Sequence, residues 1–218
     1  MQRAIVLATR SQDKLRELHP IFRAAGIEVI DLDAAGMPEE PEVEAGLERF
    51  DTFEQNALAK ARHFFERSGG VRPVVADDSG LEVLALGGQP GVRSKRWSER
   101  PDLSGLALDA ANNAKLLAEL EKVERQQPDA AKSQDERRAR YVCAAAYVDA
   151  SRECVFRGEA AGWILRSPRG TGGFGYDPLF ELDGLGVTFA ELDREAKERV
   201  SHRGKAFARL VTAVREWS

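Results

Sequence analysis

Short apolar runs alternate with longer segments whose apolar residues recur every three or four positions. Ile5 to Ala8 is a compact apolar run that predicts a buried strand. The polar stretch Thr9-Arg10-Ser11-Gln12-Asp13-Lys14 reads as a loop. Leu15, Leu18 and Phe22 then follow at helical spacing, with Gly26 as a stop signal. Ile27 to Ile30 predicts a second strand, and the acidic stretch 33–50, with Pro38 and Pro41, a loop. A second helix is expected from about Thr52 to Ser68, carrying Phe53, Ala57, Ala61 and Phe64 on one face and ending at Ser68-Gly69-Gly70.

Val74-Val75-Ala76 predicts a strand that enters Asp77-Asp78-Ser79-Gly80. Gly87 to Gly91 is rich in turn residues, and a third helix spans roughly Leu106 to Gln126. Residues 127–138 are polar and charged and read as an exposed connection. Tyr141 to Val148 and Cys154 to Glu159 form an expected strand pair around Asp149-Ala150-Ser151. Gly170 to Tyr176 is a glycine-rich loop. The last helix places Phe207, Leu210, Val211, Val214 and Trp217 on one stripe, with Ser201 as its N-cap. Strands alternating with helices, without internal repeats, predict an α/β fold.

Composition narrows the function classes. The 218 residues are 43% hydrophobic and 31% charged, which suits a globular chain with a real core. The formal net charge of -4 disfavours a nucleic-acid binder held by phosphate contacts, but leaves room for a small anion in a local basic pocket. No apolar run approaches the ~20 residues of a membrane span, and the one near the N-terminus is too short for a signal peptide, so a cytoplasmic location is expected. Cys143 and Cys154 lack metal-motif spacing, and the only histidines are His19, His63 and His202, which argues against a zinc site, a disulfide framework or a His-rich metal centre.

Four constellations could carry chemistry. At 9–14, a strand feeding a polar loop and a helix presents free amides, with Thr9, Ser11, Arg10 and Lys14 adding donors and charge. That suits an anion, although a capped helix with solvated charges would look the same. Asp77-Asp78 follows a strand, where ligands bind in α/β sheets, and a carboxylate pair there suits Mg²⁺. The alternative is an Asx-type turn before Gly80. Gly170-Thr171-Gly172-Gly173-Phe174-Gly175 matches the dinucleotide fingerprint in letters only. Pro168 precedes it and Asp177-Pro178 follows, so no helix opens there, and a loop presenting Phe174 and Tyr176 to a base fits better than that motif. Finally, Lys197 with Ser201-His202-Arg203-Gly204-Lys205 concentrates positive groups, and Lys60 adds another on the second helix.

Taken in order, these segments resemble the inosine triphosphate pyrophosphatase family, which acts on non-standard purine nucleoside triphosphates. The likeness rests on Ile5-Val6-Leu7-Ala8-Thr9 with Lys14, Thr52-Phe53-Glu54-Gln55-Asn56-Ala57 with Lys60, and Ala76-Asp77-Asp78-Ser79-Gly80-Leu81-Glu82-Val83. It continues through Leu86 to Val92, Gly172 to Pro178, Thr188 to Leu192 and Ser201 to Gly204, and so covers nearly the whole chain. The resemblance implies hydrolysis of dITP, ITP or XTP to the monophosphate and pyrophosphate with Mg²⁺. It implies one domain over 1–218, a long mixed sheet flanked by helices with two lobes around a nucleotide-binding cleft, and a homodimer.

By the same resemblance Asp78 is the catalytic acid and a metal ligand. Thr9, Arg10, Ser11, Gln12, Asp13 and Lys14 form the triphosphate loop, with Lys60 beside them and Ser79 as a further substrate contact. Phe174, Gly175, Tyr176, Asp177, Lys197, His202 and Arg203 line the nucleoside pocket. Ser11 stands where the family usually has Asn, and Leu47-Glu48-Arg49-Phe50 looks like an insertion in the loop that carries the second metal ligand. Glu44 is the expected metal partner, with Glu42 as the alternative. Two competing functions remain: a pyrophosphatase for modified pyrimidine nucleotides, and a non-catalytic nucleotide-binding module.

Overall fold

The computed structural model describes residues 4–126 and 137–217. Among these, six strands form one sheet in the order β2-β1-β3-β4-β5-β6. They are β1 Ile5–Leu7, β2 Val29–Asp31, β3 Val74–Val83, β4 Arg138–Val148, β5 Glu153–Ile164 and β6 Phe180–Leu182. β1 runs parallel to β2 and β3, and β5 antiparallel to β6, so the sheet is mixed. The accompanying helices are α1 Gln12–Ala24, α2 Pro41–Ala45, α3 Phe53–Arg67, α4 Gly105–Gln126, α5 Arg194–Val200 and α6 His202–Glu216.

The chain divides into two compact units, neither of them a continuous segment. The first takes the described residues of Met1–Ser79, Cys143–Gly158 and Ser201–Ser218. Its core joins Leu7, Leu18, Phe22, Val75, Cys143, Phe207 and Leu210. The Phe22 and Phe207 rings meet edge to face at 5.9 Å, which joins α1 to α6. Phe207, Leu210, Val211 and Val214 of the last helix are buried as their spacing predicts, while Trp217, at the C-cap, is partly buried, and the Ser201 hydroxyl accepts the Gly204 N–H at 3.0 Å.

The second unit takes the described residues of Gly80–Val142 and Glu159–Val200. It packs Leu81, Leu116, Leu120, Tyr141, Phe180 and Phe189 together. Tyr141 meets Phe180 edge to face at 4.9 Å, and Phe180 stacks on Phe189 at 5.3 Å. On α4, Glu124 accepts from Arg137 Nε at 2.6 Å and from Arg166 Nη1 at 2.7 Å. The Arg137 bond holds the Glu124 carboxyl below its ordinary range despite partial burial, with Arg166 adding to the effect. A lowered folded-state pKa contributes stability above the unfolded value and loses it as pH falls toward the folded one. Glu124→Gln is therefore expected to lower the melting temperature by a few degrees at pH 7, about 1 kcal/mol. The gap to the parent should narrow once pH drops below ~4, as thermal melts across pH will show.

Three local expectations change. The strand read as Val74 to Ala76 continues through Val83, so Asp77 and Asp78 lie inside a strand and not on a turn before Gly80. The acidic loop 33–50 contains the short helix α2. Of the polar connection expected at 127–138, residues 127–136 lie outside the described residues, Arg137 is buried, and Arg138 already begins β4.

Candidate active site

The phosphate-loop candidates sit between β1 and the first turn of α1. Ser11 is the N-cap, its hydroxyl accepting the Lys14 N–H at 3.4 Å, and the Thr9 hydroxyl accepts the Ser11 N–H at 3.2 Å. The helix opens at Gln12, which is exposed, while Asp13 pairs with Arg16. The side chain that reaches inward is Lys14, whose ammonium lies 3.0 Å from Asp77 Oδ2. Arg10 is directed elsewhere: its guanidinium donates to Asp33, to both oxygens of Glu44 and to the Met37 carbonyl.

Successive strand residues face opposite ways, and β3 accordingly gives its two acids different partners. Asp77 is fully buried against Lys14 and Arg203, with Arg203 Nε and Nη2 both 3.3 Å from Asp77 Oδ2. Burial alone would raise this carboxyl, but Lys14, Arg203 and Lys60 outweigh it and hold Asp77 far below the ordinary carboxylate range. Arg203 also donates to Ser79 Oγ at 2.7 Å and to Glu17 on α1. His202 and Arg203 are both buried in the first turn of α6. The close approach of that turn depends on Gly158, where a Cβ would stand 2.2 Å from the His202 carbonyl oxygen.

Asp78 accepts from Asn56 Nδ2 at 3.0 Å and lies 3.5 Å from Lys60 Nζ. Burial raises its pKa above the ordinary value, Lys60 only partly opposing this and Glu48 adding to it. Lys60 stays charged although buried, because Glu48, Asp78 and Asp77 surround it. Its ammonium donates to Glu48 Oε1 at 3.0 Å and to the Asp77 carbonyl.

The expected metal partner is not the acid placed with Asp78. Glu44 is tied to Arg10 and Arg67, and Glu42 is an exposed residue of α2. The acid brought to the Lys60–Asp78 group is Glu48, from the apparent insertion. Buried Asn56 explains why. Its Oδ1 accepts the Phe50 N–H at 2.9 Å, and its Nδ2 donates to the Phe50 carbonyl at 3.2 Å. One amide thus locks the backbone two residues beyond Glu48 and touches Asp78 as well. Sequence reasoning missed Asn56, Glu48 and Glu17. Only Asn56 left a signal, as a polar residue on the same helical face as Phe53, Ala57 and Lys60.

In the second unit, residues 170–179 contain neither helix nor strand, so the dinucleotide reading fails on structure as on sequence. Lys197 on α5 donates to Asp177 Oδ2 at 2.7 Å and lies 4.8 Å from the Phe174 ring centroid. The same carboxylate oxygen accepts the Phe174 N–H at 2.9 Å. At Gly173, with φ +71°, a Cβ would fall 2.1 Å from Asp177 Oδ2, so the turn that builds this group requires glycine.

The model of the Ham1 family matches residues 5–213. The chain belongs to the Ham1 family. A dITP/XTP pyrophosphatase of Frankia alni is 46% identical to this Ham1 chain over 213 residues, 97% of each chain. One from Mycobacterium tuberculosis is 47% identical over 215 residues, 97% of this chain and 95% of the relative. Among solved structures, a Ham1 protein from Coxiella burnetii has a TM-score of 0.80 at 34% identity, covering 99% of this chain and 100% of its own. A nucleoside-triphosphatase / dITP/XTP pyrophosphatase from Mycobacterium abscessus has a TM-score of 0.69 at 40% identity, covering 95% and 97%.

Proposed function

We propose that this chain hydrolyses non-standard purine nucleoside triphosphates, dITP, ITP and XTP, to the monophosphate and pyrophosphate, with 1–218 serving as one catalytic domain. The observation that carries the chemistry is the buried Asp78, held by Asn56 and 3.5 Å from Lys60, with Lys14 paired to the adjacent Asp77. Relatives over almost the full length are named for this activity on dITP and XTP. A panel of dITP, ITP, XTP, dGTP, dATP, dUTP and dTTP with pyrophosphate as the readout tests the assignment. A preference for dUTP or dTTP would favour a pyrimidine enzyme, and no turnover at all would favour a binding module.

The donor set fits a hard divalent cation. Asp78 and Glu48 both offer carboxylate oxygens around Lys60, and burial, with Glu48 adding to it, keeps the Asp78 carboxyl above its ordinary value although Lys60 opposes this. Mg²⁺ is the proposed cofactor, with Asp78 and Glu48 as its protein ligands. When bound, it would supply positive charge to the phosphate oxygens. The remaining work falls to the chain. The loop amides and hydroxyls of Thr9 to Lys14 bind phosphate, and Lys14 and Lys60 oppose its charge. Asp78 accepts a proton from the attacking water, and Asn56 fixes its orientation. Such catalysis is positioning and electrostatic preorganisation. Glu48→Gln is expected to raise the Mg²⁺ concentration for half-maximal rate by about tenfold or more, while Glu44→Gln leaves it within about twofold. A Mg²⁺ titration of the two variants separates Glu48 from Glu44, and the reverse ranking would restore Glu44.

The base is proposed to contact Phe174, Gly175, Tyr176, Asp177 and Lys197 of the second unit, with donors directed toward a 6-keto oxygen. A 6-amino group would leave such donors unpaired, which supports strong discrimination. A homodimer and a cytoplasmic location are part of the proposal. The described residues contain no helix long and apolar enough to cross a membrane.

A further inference from the structure

The loop proposed to receive the base is not held by backbone hydrogen bonds of a sheet or helix. Three successive amides of the loop are each captured by a side chain. The Phe174 N–H donates to Asp177 Oδ2 at 2.9 Å, the Gly175 N–H to Asp109 Oδ2 at 2.8 Å, and the Tyr176 N–H to the Tyr141 hydroxyl at 3.2 Å. The Gly175 carbonyl in turn accepts from Asn113 Nδ2 at 3.0 Å. Asp109 and Asn113 lie four residues apart on α4 and therefore on one helical face. Together they grip both polar groups of a single residue.

That residue sits at the turning point of the loop. Gly175 has φ +63° and Gly173 φ +71°, left-handed conformations that take the peptide groups out of any ladder register. Immediately on either side of Gly175 are Phe174, whose ring faces the Lys197 ammonium, and Tyr176, whose hydroxyl donates to the Ser94 carbonyl at 2.8 Å. A shift of the Gly175 peptide would displace the Phe174 ring relative to Asp177 and Lys197, because Asp177 Oδ2 holds both the Phe174 N–H and the Lys197 ammonium.

The geometry points to Asp109 and Asn113 as positioning residues that set substrate affinity and base specificity by fixing the Gly175 peptide. This rests on the reading of the 174–177 loop as the base site. Asn113 adds a second argument: its Oδ1 is buried without a hydrogen-bond partner among the described residues. A buried amide with one end unpaired is a poor stabilising element, whereas its donor end is well spent on the loop carbonyl. Asp109 gives a charge-assisted bond and Asn113 a neutral one, so Asp109 carries the larger effect.

The test measures KM and kcat for dITP at saturating Mg²⁺, with a melting temperature for each variant. Asp109→Ala is expected to raise KM about tenfold and Asn113→Leu about threefold, with kcat within about twofold of the parent. Asp109→Asn, which keeps an acceptor oxygen but not the charge, is expected to raise KM only about threefold, the level of a neutral bond, with kcat within about twofold. The dITP/dATP preference should fall with the rise in KM. Phe174→Ala probes the base contact directly. If it raises KM while Asp109→Ala and Asn113→Leu do not, the positioning role is overturned and the base site stands. If none of the three raises KM, the base-site reading fails and the positioning role with it. A drop in kcat at constant KM marks a loss of folded or active protein and also overturns the proposal. Should Asp109→Ala not fold, Asn113→Leu decides the matter on the same criteria.

Discussion

An Asp78→Asn variant is expected to lose at least ~10³-fold in kcat on dITP while melting within a few degrees of the parent. The activity loss follows from geometry. Asp78 is the acid of the first unit that combines a buried position, an orienting amide at 3.0 Å and a lysine at 3.5 Å. An amide cannot accept the proton of an attacking water or neutralise a divalent cation. The unchanged stability follows from electrostatics. Burial raises the Asp78 pKa despite Lys60, so its charge is not what holds the fold together. The replacement oxygen still accepts from Asn56. Pyrophosphate release and metal-free thermal melts provide the two measurements. Turnover within tenfold of the parent would remove Asp78 from the chemistry, and a collapse of the melting temperature would make it a structural acid.

Asp77, its neighbour in the chain, is expected to behave in the opposite way. Asp77→Ala takes away a carboxylate that pairs with the buried Arg203 and with Lys14. Breaking a buried pair from one side costs about 3–5 kcal/mol. In a chain of this size that corresponds to roughly 10 °C in melting temperature. Activity should fall as well, since Lys14 and Arg203 lose the group that aims them. Asp77→Asn should fall between, keeping acceptor geometry without charge. A melting temperature within about 2 °C of the parent would show that Glu17 and Ser79 suffice to hold Arg203, and would refute the assignment. On this proposal two adjacent acids separate into one that serves chemistry and one that holds the cations in place.

Much of the fold was legible along the chain. The apolar stripe Phe207-Leu210-Val211-Val214 has one solution, a helix with that face buried, and Ser201 caps it as its residue type allows. Thr52 likewise caps α3, accepting the Gln55 N–H at 3.2 Å. From sequence β3 reads too short, because Asp77 and Asp78 look like a turn when their partners are unseen. Carboxylates remain in a buried strand only when cations meet them, and Arg203 comes from 126 residues further on. Glu48 goes unmarked beside Glu44 and Glu42 for a related reason. In an acidic, proline-containing segment no periodicity ranks one glutamate above another, and the choice is made by the lock of Asn56 on Phe50.

The sequence alone determined the α/β class, the helices that carry Lys60 and Arg203, and the presence of Asp78, Lys14, Lys60 and Arg203 in one ordered set. These depend on local spacing and residue type, which a linear chain displays directly. Tertiary structure alone decided which acid faces which cation. It sent Arg10 and Glu44 to each other, put Glu48 beside Lys60, and placed Asp109 and Asn113 on the Gly175 peptide. Those pairings depend on desolvation and on distances of a few ångströms between segments remote in sequence, and both arise only when the chain has folded.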